Sequence, residues 1–182
     1  KRHMESLDAA VVNFSRLLYV SALMWPVLIL AKPSAGVWAA VASGVLTLFI
    51  GDSLYFYAIH RVGGSVAAPI TYTYVVIAQY LALLLGERVT PMLVVSSLLV
   101  VLGVGLLARG GEARVNFAGV ASAAAAAFMW SLGMTAVKLA AVQGVHPTAV
   151  AYLRALSACL FMALYLAARG RLRVVKSPLF AA

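Results

Sequence analysis

Acidic residues are scarce in this sequence. Five Asp and Glu stand among 182 residues, against fourteen Lys and Arg, and there is a single cysteine. With one thiol, Cys159, no intrachain disulfide can form, and packing is its expected role. His3, His60 and His146 are isolated from one another and from any cysteine pair, so no metal cluster is expected. The chain has no Gly-Lys-Ser/Thr phosphate loop, which argues against an ATP-driven pump. It also has no Ser or Cys nucleophile beside a base in a recognisable motif. No cofactor is implied, and enzyme chemistry is not expected.

What fills the space is apolar. Hydrophobic residues make up 64% and charged residues 10% of the chain, and mean hydropathy is +1.01, far outside the balance of soluble domains. Six apolar runs are long enough to cross a bilayer: Val11–Ala31, Gly36–Ile59, Ser65–Leu85, Met92–Ala108, Phe117–Ala140 and Thr148–Ala168. Lipid offers no hydrogen-bond partners to the backbone, and runs this uniform are not the alternating strands of a barrel. The expected fold is therefore all-α, a polytopic transmembrane helical bundle in a lipid bilayer, with the cell membrane as its location. The net charge of +9 would suggest nucleic acid in a soluble protein, but here the basic residues sit at helix ends, so no nucleic-acid partner is expected. The chain opens KRHMESLDAA, without a cleavable signal pattern and without Met at position 1, as expected of a trimmed or partial chain.

An internal repeat is visible. With Arg16 laid over Arg154, Val12, Leu18, Met24 and Leu28 fall on Val150, Leu156, Met162 and Leu166, an offset of 138 residues. The shared arginine is the informative element, because charge is rare inside spans. Five helices per period would invert the second copy, so two repeats would make ten helices in about 280 residues.

The run GDSLYFYAIHRVGGSVAAPITYTYVVIAQYLALLLGERVTPMLVVSSLLVVLGVGLLARG resembles the third to fifth helices of an EamA-type domain of the drug/metabolite transporter superfamily. The matching features are Gly51-x-x-x-Tyr55-x-x-Ala58, Gly86–Glu87 closing one helix, and Gly103 and Gly105 in the next. AAAAFMWSLGMTAVKLA is similar to the opening helix of the family's repeat, with Trp130 and Lys138 in place. The resemblance implies that residues 1–115 are most of a first repeat (its second to fifth helices) and 116–182 the start of a second (sixth and seventh). It also implies a secondary transporter working by alternating access, as an exporter. The chain departs from the pattern at two positions: Tyr74 stands where many relatives have proline, and Ser131 where a glycine often follows the tryptophan.

Orientation has two readings. Lys1, Arg2, Arg61, Arg109, Arg114, Arg169, Arg171, Arg173 and Lys176 outnumber Lys32, Arg88 and Lys138 on the other side, which would place the first set in the cytoplasm. The family's ten-helix arrangement, less one helix, implies the reverse.

Asp52 costs about 2.5–3.5 kcal/mol near a bilayer centre, so something must compensate it. It either faces a water-filled cavity, binding a cationic group or taking up a proton, with Tyr55 sharing its face, or serves as a purely structural, paired carboxylate. Ser65, Pro69, Tyr72 and Gln79 fall on one helical stripe, read as a cavity wall with a carbonyl freed by Pro69, or as ordinary helix-to-helix polar contacts. Arg16 and Arg154, near their helix starts, either snorkel to the interface or act as gates or anion contacts. Lys138 is expected to snorkel and Glu87 to hold a helix end, while the alanine run from Ala121 is expected to pack. The substrate would be a small metabolite, with Asp52 leaning toward cations or zwitterions such as amino acids and the tyrosines toward aromatic or amphipathic solutes. The competing class is a non-transporting scaffold or an intramembrane enzyme subunit, and assembly of two copies is a third possibility.

Overall fold

The computed structural model describes residues 2–30, 35–107 and 116–170. All their regular structure is helical: α1 (Arg2–Leu23), a 3₁₀ segment (Trp25–Leu30), α2 (Ala35–Gly44), a π-helical stretch (Val45–Gly51), α3 (Asp52–Val62), α4 (Gly64–Tyr72), α5 (Tyr74–Leu84), α6 (Pro91–Leu107), α7 (Phe117–Val142) and α8 (Pro147–Ala168). The chain is a polytopic helical bundle. Four rods are long and apolar enough to cross a membrane: Ala35–Val62, Gly64–Leu84, Phe117–Val142 and Pro147–Ala168, with Pro91–Leu106 a shorter apolar helix. Lys1, Lys32, Arg109, Arg114 and the basic residues after Gly170, used above to weigh orientation, lie outside the described residues.

Three apolar runs are less regular than their hydropathy suggests; the second is broken by the π-helical stretch Val45–Gly51. The first is not one α-helix. Pro26 lacks the N–H that would continue the ladder, so α1 ends at Leu23 and the chain tightens into the 3₁₀ segment, where Val27 N bonds Met24 O at 3.0 Å. α1 also begins at Arg2, ahead of the apolar run. The third run is two helices. α4 carries Pro69 through its interior and stops at Tyr72; at Thr73 the backbone N bonds Ile70 O (3.2 Å) and the hydroxyl donates to the same carbonyl (2.6 Å), after which α5 starts at Tyr74. The remaining boundaries follow local chemistry. Gly63, Gly86 and Gly144 take positive φ at helix ends, Asn116 Oδ1 accepts from Ala118 N (3.0 Å) and Gly119 N (3.3 Å) to start α7, and Pro147 opens α8.

α7 is the hub, packing against α2, the π stretch, α3, α4 and α5. Its alanines make this possible: Ala123, Ala126 and Ala127 are fully buried. Without a hydrophobic drive between helices in lipid, such small residues let backbones approach until dispersion holds them. α8 closes the other side, with Phe14 and Leu17 of α1 buried against its Ala155, Ala158, Cys159, Met162 and Leu166. Glycines mark the closest approaches. A Cβ at Gly44 would sit 2.3 Å from Arg154 O, and one at Gly133 would sit 2.3 Å from Thr47 Cγ2.

Candidate functional site

The π stretch decides where the polar residues of the second span point. Wider turns leave backbone carbonyls without their usual partners, and these are taken up by side chains from other helices. Asn13 of α1 donates its Nδ2 to Leu48 O (3.2 Å). Its Oδ1 accepts from Arg16 (2.8 Å), and Arg16 reaches on to Asp52 Oδ2 at 3.0 Å. Asp52, the first residue after the stretch, is thereby tied to α1 by a guanidinium whose own position is fixed one turn away. On the opposite side Thr47, itself donating to Ser43 O (2.7 Å), accepts from Arg154 of α8 (3.1 Å).

These groups surround one cavity of about 260 Å³. Arg16, Thr47, Asp52 and Arg154 form its polar side, and Leu48, Tyr74, Trp130 and Met134 its apolar and aromatic side. The Asp52 side chain is only 14% exposed, Arg16 more openly placed at 57%. Trp130 is seated on Gly51, where a Cβ would come within 2.3 Å of its Cδ1. Its indole N–H faces the Asp52 carboxylate without closing a hydrogen bond to it, and Arg154 Nε is likewise buried without an acceptor among the described residues. The aromatic wall continues outward: Tyr55 lies 5.4 Å and Tyr74 5.5 Å from the Trp130 ring, and Tyr72 lies 6.2 Å from Tyr74.

The residues singled out by sequence divide between this cavity and its surroundings. Asp52, Arg16 and Arg154 converge on it, although they come from three separate helices and the two arginines are 138 positions apart. Both arginine side chains reach polar partners on neighbouring helices, Arg16 to Asp52 and Arg154 to Thr47. Tyr55 backs the cavity through Trp130. Tyr72 is exposed and its ring lies against Tyr74 at the edge of the wall, and Pro69, in α4, is not among the lining residues. Gln79 faces α6, donating to Leu93 O (2.9 Å) and accepting from Ser97 (3.2 Å). The stripe joining it to Ser65, Pro69 and Tyr72 is interrupted at Thr73. Lys138 and Glu87 form an ion pair that ties the end of α7 to the loop after α5. Thr47, Trp130, Tyr74 and Met134 were not foreseen as lining. The available signals were Trp130, in place for the opening helix of the family's repeat, and Tyr74, a departure from the family's pattern.

The two departures from the family pattern are in contact. Ser131 Oγ sits 2.9 Å from Tyr74 O, next to the break at Thr73, and 2.8 Å from Ala127 O in its own helix. A hydroxyl on α7 thus serves a carbonyl at the break between α4 and α5.

Membrane-length helices around a charged cavity are the architecture expected of a carrier, and comparison with known proteins agrees. The EamA-like transporter family matches residues 1–109. The chain belongs to this family. An Archaeoglobus fulgidus protein described as an uncharacterized transporter is 26% identical over 140 residues, which cover 74% of this chain and 50% of that protein. The EamA-like chain thus spans about half the length of the curated relative it matches. No solved structure matches it.

Proposed function

We propose that this chain carries the substrate site of a secondary transporter that moves a small metabolite across the membrane by alternating access, with export as the direction that the drug/metabolite transporter resemblance implies. The supporting observation is the Arg16–Asp52 pair at 3.0 Å on the wall of a cavity that Arg154 also lines. A volume of about 260 Å³ is just below the usual range of drug-sized pockets and suits a small solute.

The arrangement also suggests how the site moves. Asp52 is held by Arg16 from α1, while Arg154 on α8 sits within electrostatic reach of the same carboxylate and bonds Thr47. Rocking of α8 against α1 that exchanges one arginine for the other as the partner of Asp52 would open the cavity on alternate sides, a discrete switch between two packed arrangements. Tyr55, Tyr72 and Tyr74 extend the apolar wall along the path, and Gln79 fastens α5 to α6 beside it.

The test uses the full-length protein in proteoliposomes loaded with a pH-sensitive dye and challenged with small carboxylates, amines and zwitterionic amino acids. The wild type is expected to give a solute-dependent pH change and Asp52→Asn to lose it. A variant whose flux follows pH as the wild type does removes Asp52 from coupling and leaves the ion pair as a structural staple.

A further inference from the structure

Charge around the cavity does not balance. Two guanidinium groups, Arg16 and Arg154, face one carboxylate, Asp52, and no other charged side chain among the described residues lines the space. Arg16 already neutralises Asp52 at 3.0 Å. Arg154 is left with one polar contact among the described residues, the Thr47 hydroxyl at 3.1 Å, although a guanidinium carries five donors. Its Nε has no acceptor. A cation at membrane depth that must share its one nearby carboxylate with a second guanidinium is costly, and the usual resolution is an anion that pairs with it.

We infer that the cavity is a receptor for a monocarboxylate, with Arg154 as the group that holds the carboxylate. The surplus is a single positive charge, which one carboxylate cancels and a phosphate dianion would overshoot. A planar, two-oxygen acceptor also matches the guanidinium fork. Trp130, whose indole N–H is turned to Asp52, contributes its ring to the same wall. The rest of the lining, Leu48, Tyr74 and Met134, accepts a short apolar or aromatic tail. This reverses the leaning that Asp52 alone gave toward cations: its charge is spent on Arg16.

The inference specifies the cargo of the transporter proposed above and rests on that reading, but binding can be measured without flux. Saturable binding of radiolabelled butyrate and of butylamine is followed by scintillation proximity on the full-length protein in detergent. Butyrate is expected to bind and butylamine not. Arg154→Gln is expected to weaken butyrate binding by about thirtyfold or more, the scale of a buried charge pair losing one partner, while Arg154→Lys keeps part of it. Asp52→Asn, which raises the surplus charge, is expected to tighten it. These opposite responses separate a binding role from misfolding, which would weaken both variants, and a monodisperse elution profile confirms that each is folded. Saturable butylamine binding, absence of butyrate binding, or butyrate binding that survives Arg154→Gln overturns the inference. Butyrate binding without any flux leaves the receptor standing and removes the transport reading alone.

Discussion

Gly51→Ala is the sharpest test of how the cavity is built. A methyl at this position would lie 2.3 Å from Trp130 Cδ1 and 2.5 Å from its Nε1, against an ordinary carbon contact of about 3.5–4.0 Å. Something must move by more than about 1 Å. Leu46 O, 3.1 Å away on the same helix, blocks retreat in that direction, so the indole must give way. Overpacking of this kind costs about 1–3 kcal/mol, offset by up to about 1 kcal/mol from replacing glycine inside a helix. The single variant should therefore lose between about 0 and 2 kcal/mol. The coupling is more informative than the single value. In a Trp130→Ala background the clash is gone, and Gly51→Ala should become neutral or mildly stabilising, giving an interaction energy of about 1–3 kcal/mol in a double-mutant cycle. Unfolding in mixed micelles with increasing SDS, followed by circular dichroism, supplies the four stabilities. Equal destabilisation by Gly51→Ala with and without the tryptophan would refute the seating of Trp130 on Gly51.

Other contacts give narrower expectations. Cys159 is 6% exposed within the α1–α8 core, so a bulky maleimide should label it only after denaturation; rapid labelling of folded protein would mean that α1 does not cover α8. Gln79→Leu removes both bonds to α6, and since such interhelical bonds average about 0.6 kcal/mol in membranes, thermal stability in detergent should fall only slightly, with flux of the wild-type cargo retained. Reversing the Lys138–Glu87 pair as Lys138→Glu with Glu87→Lys should restore what either single reversal loses, a difference of about 1 kcal/mol or less. If the double reversal is worse than both singles, the pair is not what joins α7 to that loop.

The bundle was legible because hydropathy and length constrain membrane helices strongly: five of the six apolar runs reappear with ends shifted by a few residues at most. What was not legible is local backbone irregularity. Apolar composition at Trp25–Leu30 is the same whether the turn is α or 3₁₀, and only Pro26 hints at the change. The stripe through Ser65, Pro69, Tyr72 and Gln79 assumed one unbroken helix across Thr73, where α4 ends before α5 begins, and Gln79 bonds to α6. Asp52, Arg16 and Arg154 stood out because charge within spans is rare. That they share a cavity depends on tertiary packing and on the π stretch, neither of which has a periodic signature. The inferred cargo turns on the same packing: alone Asp52 leans toward cations, and the inference of an anion rests on the two arginines that line the cavity with it.

The π stretch before Asp52 also fixes a phase. Each residue of an α-helix turns the chain by about 100°, and a π stretch absorbs roughly one residue beyond what a plain helix would need to place the same two ends. Were the same residues of Val45–Gly51 wound as regular α-helix, with none removed, every span would keep its residues and hydropathy while α3 swung by about 100°. Asp52 would then leave Arg16, Tyr55 would leave Trp130, and Ala58 and Val62 would leave the small-residue face of α7. One residue of register therefore separates a bundle with a charged cavity from one with its carboxylate turned toward another helix or toward lipid.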